Sequence, residues 1–427
     1  MNILKEVLKH QVYPAMGCTE PVSVALCAAY AAAELTGKVS HAHFRLDAGT
    51  YKNGCGVRIP NTDGEKGNLL AAAMGILIAR PDLQMEILSG ADKELLQKAK
   101  ELVEEKKVIL EVAAQKQGFY IEADLQGENG DKVLCVISGS HTHVTYLSKN
   151  GKVLRDSQVQ EDKANAHTFK EELKKATLAD LIAWADNADG EDLTYIKKGV
   201  EMNLKAAELG QALQKVGFYI KELVRKRLLH MDLITSTKIL TACAADARMD
   251  GQAVPVMSSG ESGNQGVVTI LVPWKVGKEM EVPEEKILKS IALSHLLNGY
   301  VKVFTGELAP ICGCAIAAGV GATAAIVYQQ RDGNIPAMTL AINNIISDIG
   351  GMLCDGAKSG CALKVVSSAD AAIRSAFMGI NDYGITEVEG FVGRSAEETI
   401  QNLGNISTVG MRAVDPMIVG IMQEKMK

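Results

Sequence analysis

Aromatic side chains are scarce in this chain, with Phe, Trp and Tyr together making up 4% of its residues. A carbohydrate-binding surface or an aromatic-rich interface is therefore not the first expectation. Basic residues are not in excess either, since 45 Lys and Arg face 51 Asp and Glu and the formal net charge is −6. Nucleic-acid-binding domains normally carry a basic footprint, so this balance argues against a nucleic acid as partner.

Extended disorder is not expected. Apolar residues make up 47% of the chain and charged residues 22%, as in ordinary globular proteins. This supplies enough apolar surface to bury on folding. At 427 residues the chain is too long for one small domain, and two or three domains are expected.

A secreted disulfide framework and a signal peptide both lack support. The nine cysteines are odd in number and unevenly spaced. The first residues, MNILKEVLKHQ, are amphipathic and lack a signal peptide's apolar core. We therefore expect a cytoplasmic protein with reduced thiols. Four thiols have no polar neighbours in sequence and are interpreted as core residues, namely Cys27, Cys55, Cys135 and Cys243.

One uncharged run, Leu308 to Tyr328, is long enough to span a bilayer. It is either a transmembrane helix or a buried helix preceded by a loop. Gly and Ala dominate the run and its flanks lack an aromatic belt, which favours the buried helix. No membrane association is expected.

The periodicity changes along the chain. Residues 1–160 are predicted to form an α+β domain and residues 161–427 a mostly all-α domain, with a polar linker at Ser157–Ala166. In the first domain we expect helices at Ile3–His10, Thr19–Thr36 (capped by Thr19), Gly67–Ala79 and Asp92–Glu105, and strands at Val39–Asp47, Gln84–Leu88, Val108–Ala114, Phe119–Leu125, Asp131–Ser138, His143–Leu147 and Lys152–Asp156. In the second we expect helices at Leu178–Asn187, Asp192–Glu208, Leu213–His230, Leu233–Arg248, Glu284–Val303, Ala315–Gln329, Ala337–Ser347, Ala357–Gly379 and Ser395–Ser407.

Four C-terminal thiols form one candidate site. Cys312 and Cys314 lie in LAPICGCAIAAG, and Cys354 and Cys361 lie in GMLCDGAKSGCALK. Iron–sulfur clusters are held by cysteine thiolates, and a cluster with three protein ligands leaves one iron open to substrate. The alternative is four buried cysteines at helix contacts, and spacing alone leaves both open. No CxxC is present, so a zinc ribbon is disfavoured.

Cys18 directly precedes a predicted helix in YPAMGCTEPVSVALC. Unpaired N–H groups and the helix dipole favour a thiolate at such a position, which could act as a nucleophile or a base. A small buried side chain at a helix start is an equally good interpretation.

Two polar loops could bind a small anion. Pro255 to Gly266, PVMSSGESGNQG, offers backbone N–H groups and hydroxyls between apolar flanks, and is interpreted as a binding loop rather than a free turn. SGSHTH follows a strand, and its His141 and His143 could bind a metal or a carboxylate or carry protons near neutral pH, or the segment is simply a hydrophilic hairpin turn. In a strand the two histidines would lie on one face, exposed together. Asp246 and Arg248 could clamp a carboxylate or form a structural salt bridge.

Five stretches together resemble one known family. YPAMGCTEPVSVAL, AADARM, PVMSSGESGNQG, LCDGAKSGCALKV and ETIQNLGNIS are similar to the L-cysteine desulfidases, a family related to the iron–sulfur-dependent L-serine dehydratases. The resemblance runs from about Tyr13 to Asn405. SGSHT is similar to the SSHT motif of serine dehydratase β domains.

The resemblance implies a [4Fe–4S] cluster with an open iron in the helical domain, and no pyridoxal phosphate. Cys312, Cys354 and Cys361 would be its ligands, with Cys314 the alternative to Cys312. Cys18 would be the base that removes the substrate's α proton. The substrate would contact the following residues: Ser258, Ser259, Ser262, Asn264 and His141.

The implied function is β-elimination of L-cysteine to pyruvate, hydrogen sulfide and ammonia. An L-serine dehydratase is the close alternative. Two further classes stay open, namely a non-catalytic amino-acid or metal binding protein and a hydrolase built on Cys18 and His141. The expected partner is a small amino-acid substrate. The chain is also expected to form a homo-oligomer such as a dimer, because two-fold oligomers are the commonest kind.

Overall fold

The computed structural model describes residues 1–113, 115–116, 118–157, 162–306 and 308–425; for 162–168 it describes the helical backbone alone. It has a sheet-containing N-terminal region and a helical C-terminal region. This mixed α and β architecture agrees with the expected fold class.

The N-terminal region alternates helices and strands. Its elements are α1 (Ile3–Gln11), β1 (Pro14–Met16), α2 (Thr19–Glu34), β2 (Val39–Leu46), α3 (Ala48–Cys55), α4 (Asn68–Ile78), α5 (Lys93–Glu104), β3 (Val108–Val112), β4 (Tyr120–Gly127), β5 (Lys132–Ser138), β6 (Val144–Lys149) and β7 (Lys152–Asp156). Side chains fix several helix starts: Asp47, for example, accepts hydrogen bonds from the backbone N–H groups of Gly49 and Thr50 at the start of α3.

Six strands form one sheet in the order β3-β2-β4-β5-β6-β7. Only β2 and β3 are parallel, and the other neighbours are antiparallel. Alternate residues of β5 are buried, and α2 packs on this strand and on β4. Helix α4 in turn packs on α2, and a Cβ at Gly75 would lie 2.1 Å from the carbonyl oxygen of Ala25. The close contact of these two helices therefore requires glycine at position 75.

Among its described residues, the C-terminal region is mostly helical and contains one short strand. Its elements are α6 (Asp162–Lys175), α7 (Leu178–Asp186), α8 (Gly190–Gly210), α9 (Val216–Arg225), α10 (Leu233–Met249), β8 (Pro255–Met257), α11 (Gly263–Glu279), α12 (Glu284–Thr305), α13 (Ala317–Arg331), α14 (Ile335–Ile349), α15 (Cys361–Ile380), α16 (Ala396–Asn405) and α17 (Val414–Glu424). Strand β8 pairs antiparallel with β1, so the two regions share a two-stranded sheet.

Both ends of the chain cross between the regions. Buried residues of α1, including Leu4 and Val7, belong to the core of the helical region. Val419 of α17 belongs to the core that includes the six-stranded sheet. The expected division near residue 160 stays a prediction, and these crossings tie the two regions together.

Several local predictions were wrong. Gln84–Leu88 is not a strand, because Pro81–Glu86 forms a 3-10 helix with a kink at Gln84. The second half of the expected linker is helical from Asp162, while residues 158–161 lie outside the described residues. The preferred interpretation of the uncharged run is confirmed, because it contains the buried helix α13 preceded by non-helical residues. No helix within the described ranges is long and apolar enough to cross a membrane.

Candidate active site

One cavity lies between the two regions and collects most of the predicted functional residues. The N-terminal region contributes the start of α2, α3 and the turn before β6, and the helical region contributes the end of α10, the start of α11, α12 and two cysteine-bearing loops. Its polar and thiol lining includes Cys18, Glu20, Asn53, His141, Arg248, Glu261, Ser262, Asn264, Gln265, Lys302, Cys312, Cys314, Cys354, Cys361 and Lys364.

The pairing of β1 with β8 explains why distant segments meet here. Gly17 and Cys18 follow β1 directly, and the loop at 258–262 follows β8. Pro14 pairs with Met257 and Met16 with Pro255, which brings both loops to the same small sheet. A sequence separation of about 240 residues is thus closed by two three-residue strands.

Cys18, rather than Thr19, is the N-terminal cap of α2, and it makes no side-chain cap hydrogen bond. Its thiol instead donates to Glu20 Oε2 at 2.9 Å. The other carboxylate oxygen of Glu20 accepts from Asn53 Nδ2 at 2.9 Å. Cys18 and Glu20 are both buried, so this pair is a shielded acid–thiol contact on the cavity wall.

The charge state of this pair differs from the simple helix-dipole expectation. Burial and then the negative charge of Glu20 raise the pKa of the Cys18 thiol well above its ordinary value, against the opposing charge of Arg248. Burial alone would raise the pKa of Glu20, but the charge of His141 and the hydrogen bonds from Cys18 and Asn53 lower it overall. Cys18 is therefore a thiol donating to a carboxylate, and a base role for it stays a prediction.

The loop between β8 and α11 is a tight turn. The backbone N–H of Ser259 donates to the carbonyl of Ser262 at 3.1 Å, and the reverse bond is 3.0 Å. Gly260 and Glu261 between them have φ values of 52° and 64°. Positive φ at both central residues is the signature of a type I′ turn. The expected binding loop is therefore a fixed structure, and Asn264 belongs to the first turn of α11.

The predicted substrate contacts divide into two groups. Ser262, Asn264 and His141 line the cavity. The hydroxyls of Ser258 and Ser259 are instead used inside the protein: Ser258 Oγ accepts from the Tyr13 N–H at 2.9 Å, and Ser259 Oγ lies 2.8 Å from His295 Nδ1. These two serines hold the loop in place and are absent from the described lining of the cavity.

His141 and His143 are not exposed together, so that prediction was wrong. His141 is only 3% exposed and His143 is half-buried. His141 Nδ1 lies 3.0 Å from Glu261 Oε2, whereas His143 Nδ1 lies 3.3 Å from the carbonyl oxygen of Ser138. Only His141 is among the residues described as lining the cavity.

Arg248 and Asp246 have different surroundings. Arg248 lines the cavity, and its Nε atom is buried with no hydrogen-bond partner among the described residues. Asp246 accepts from the Gly217 N–H at 2.8 Å, and burial raises its pKa to about 6. Only Arg248 of the two is among the residues described as lining the cavity, so they do not clamp a ligand there together. The guanidinium of Arg248 by itself suits a substrate carboxylate.

The four C-terminal thiols line the same cavity, and Cys361 packs against the small cluster that contains Cys18. The Cys312 N–H donates to the Met352 carbonyl at 2.8 Å and the Cys354 N–H to the Pro310 carbonyl at 2.7 Å, around the antiparallel bridge of Ile311 with Leu353. In such a pairing the side chains of 312 and 354 share one face. Cys361 is the first residue of α15 and lines the same cavity.

Positive charge surrounds these thiols. The hydrogen bond from Cys314 lowers the pKa of Cys312, against burial, and the charge of Lys364 acts in the same direction. The interaction with Cys312, together with burial, raises the pKa of Cys314. Lys52 is fully buried and donates to the Cys354 carbonyl at 2.8 Å. Gly356 lies against it, since a Cβ there would be 2.5 Å from the Lys52 carbonyl oxygen.

The donor set suits an iron–sulfur cluster chemically. Thiolates are the ligands that such clusters take, and four thiols with basic neighbours line this cavity. No three His, Cys, Asp or Glu side chains within the described ranges converge as they would around a single metal ion. A cluster does not require that convergence, because its protein thiolates bind different irons.

Comparison with known proteins identifies the family. A model of the serine dehydratase alpha chain family matches residues 83–420. The chain belongs to this family. Membership relates it to the iron–sulfur serine dehydratases and indicates a lyase of the serine dehydratase type. The matched residues include the four C-terminal thiols, His141 and the loop after β8, whereas Cys18 lies before them.

Relatives of similar length span the whole chain. A UPF0597 protein of Elusimicrobium minutum is 66% identical, with 100% of both chains covered. A UPF0597 protein of Geobacter sulfurreducens is 52% identical, with 100% of this chain and 99% of the relative covered. A UPF0597 protein of Clostridium tetani is 38% identical, with 99% of both covered. No solved structure matches the chain.

Sequence reasoning missed several of the residues that line the cavity. Glu20 stands inside the GCTEP motif and Glu261 inside SSGESGNQG, so both had a local signal. Asn53 and Lys302 had none, because they enter the site from α3 and from the end of α12. Only tertiary packing brings them to the cavity.

Proposed function

We propose that this protein is a β-eliminating lyase that converts L-cysteine to pyruvate, hydrogen sulfide and ammonia. The observation that supports this most is the single cavity that holds Cys18, the turn after β8 and the four C-terminal thiols. These are the groups that an elimination needs: a proton acceptor, a carboxylate-binding surface and a site for an electrophile.

A [4Fe–4S] cluster on Cys312, Cys354 and Cys361 is part of this proposal. When bound, it would supply Lewis acidity toward the substrate's leaving atom. Cys354 and Cys312 share one face of a fixed backbone bridge, and Cys361 begins the helix that follows. Cys312 is preferred to Cys314 because Cys312 shares the face of the backbone bridge with Cys354.

The chain's own residues would bind and orient the amino acid. Arg248 and the hydroxyl of Ser262 would take the carboxylate, since both residues line the cavity beside the start of α11. Cys18 would accept the α proton as a thiolate, with its own proton held by Glu20, its hydrogen-bond partner. Both pKa shifts oppose that transfer, so the thiolate, once formed, would be a strong base. The buried position of both side chains would exclude water from this transfer.

L-Serine is the second candidate substrate, favoured by the match to the serine dehydratase alpha chain family. The same groups would serve, because only the leaving atom differs. A single contact to that atom discriminates by about 1–3 kcal/mol, so the two substrates differ by preference rather than by mechanism.

The test is an anaerobic turnover assay. The protein is reconstituted with iron and sulfide, given L-cysteine or L-serine separately, and pyruvate is followed together with sulfide released above the starting level. Faster pyruvate formation from L-cysteine, matched by sulfide, is the expected result. Preference for L-serine would move the assignment to a dehydratase. No pyruvate from either substrate, with the cluster intact by absorbance, would refute the proposal and favour a non-catalytic binding protein.

A further inference from the structure

Glu261 lies between two cavities. It lines the candidate active site, and it also lines a second cavity on the far side of the turn that carries His141. The second cavity is bordered by residues of α1, α6 and the turn before β6, among them Lys9, Phe169, Lys170, Ser140 and Thr142. The Glu261 carboxylate therefore forms part of the wall that separates the two spaces.

The backbone at this position is unusual for a glutamate. Glu261 has a φ of 64°, a region where glycine and asparagine are usual, and its side chain is 3% exposed. A long charged side chain is thus held both in an unfavourable backbone region and out of water. Such residues cluster at functional sites, because the surrounding structure must hold them there.

Both oxygens of this carboxylate are engaged. Oε2 accepts the His141 backbone N–H at 3.2 Å and lies 3.0 Å from His141 Nδ1. Oε1 lies 3.9 Å from Nζ of Lys170, which is partly exposed toward the second cavity. The carboxylate is therefore anchored on the far side while it holds the imidazole on the near side.

The other end of the imidazole faces the active site. His141 lines the first cavity, and its Nε2 atom is buried with no hydrogen-bond partner among the described residues. A carboxylate at Nδ1 fixes a proton on that nitrogen and leaves Nε2 as the atom that exchanges protons with the cavity. The Glu261 carboxylate accepts the hydrogen bond from Nδ1 whether or not Nε2 carries a proton.

We propose that Glu261 is the positioning residue of His141 and that His141 Nε2 delivers the proton to the leaving atom. This rests on the proposed elimination. In that step the Cα–H bond breaks, its proton goes to the base, and its electron pair forms the Cα–Cβ double bond. The Cβ–S bond breaks with its pair on sulfur, and sulfur takes the proton from Nε2. With L-serine, oxygen takes that proton instead.

The experiment compares Glu261→Gln with the reconstituted wild-type protein. Glutamine keeps the size of the side chain and loses its charge. The expected result is a kcat lower by about 10–100-fold with KM within about twofold, the usual cost of losing a residue that orients a functional histidine. Added to His141→Gln, the same change should cause no further loss, because the two act as a unit. Lys170→Met should lower kcat less. Glu172→Gln is the matched control, because Glu172 is an exposed carboxylate on α6, the helix that carries Lys170.

A second readout does not depend on turnover. In full-length protein labelled with ¹⁵N-histidine, the His141 signals, identified by their loss in His141→Gln, should report a protonated Nδ1. In Glu261→Gln they should shift toward a mixture of the two tautomers. Unchanged His141 signals, an unchanged kcat, or an additional loss in the double variant would each overturn the assignment. If the wild-type protein forms no pyruvate, the proposed function fails, and the histidine signals still decide whether Glu261 positions His141.

Discussion

Asp415→Asn should loosen the loop that carries Cys354. Asp415 lies on α17 and pairs at 2.6 Å with Nζ of Lys52, whose side chain is 1% exposed. The same ammonium donates to the Cys354 carbonyl. Removing one partner of a buried ion pair leaves an uncompensated charge and costs about 3–5 kcal/mol. Because Asp415 is itself 17% exposed, the lower end, about 3 kcal/mol, is expected.

Hydrogen exchange measured by mass spectrometry on peptides that span Cys354 tests this locally. The Cys354 N–H is bonded to the Pro310 carbonyl, and a loss of about 3 kcal/mol in the opening free energy should speed its exchange by roughly a hundredfold or more. In a Lys52→Met background the same change should add under about 1 kcal/mol, because the buried charge is gone. Asp82→Asn, in an exposed pair with Arg80, should have almost no effect. If Asp415→Asn still lowered the opening free energy by about 3 kcal/mol in the Lys52→Met background, the reasoning would be refuted.

Two further predictions concern the thiols and the pH dependence of stability. Cys354→Ala and Cys312→Ala should lose iron after reconstitution, whereas Cys314→Ala and Cys135→Ala should keep it, since Cys135 lies on β5 and is not among the residues described as lining the cavity. Full iron content in Cys354→Ala would refute the ligand set. Burial raises the pKa of Asp246 to about 6 in the folded protein, so the folded state binds a proton more tightly than the unfolded state. This group's contribution to stability is therefore present below about pH 4 and is lost as pH rises to about 6. Relative to wild type, Asp246→Asn should be less sensitive to pH between about 4 and 6 in urea midpoints, and equal pH dependence would contradict the argument.

The helices with clear periodicity and caps were predictable from sequence. α5 and α12 begin within one residue of the expected position. Asp92 caps α5, and α12 starts directly after Pro283 with two glutamates in its first turn. α11 was missed, since its first turn follows a glycine- and serine-rich loop and it contains Pro273. Gln84–Leu88 was assigned to a strand because a short apolar run does not distinguish a strand from a helical turn.

The site was predictable in its motifs but not in its partners. The thiols, Cys18 and the loop after β8 each had a local sequence signal, and they line one cavity. The sequence could not show that Ser258 and Ser259 turn their hydroxyls into the protein, because Tyr13 and His295 reach them from other elements. Nor could it show that Glu20 faces Cys18, since a helix dipole alone favours a thiolate there.

The central claim is that this cavity is the active site and that Cys18 is its base. Comparing Cys18 with a second cysteine nearby in sequence tests it most directly. Cys18 lines the cavity, and Cys27, nine residues on, is buried in α2 with its thiol toward the carbonyls of Ile121 and Cys135. In anaerobically reconstituted protein, Cys18→Ser should lower pyruvate formation from L-cysteine by about 10²–10⁴-fold with iron content unchanged, the usual contribution of a positioned base. Cys27→Ser should keep most of the activity. Wild-type turnover in Cys18→Ser, or an equal loss in both variants, would contradict the assignment of this cavity as the active site.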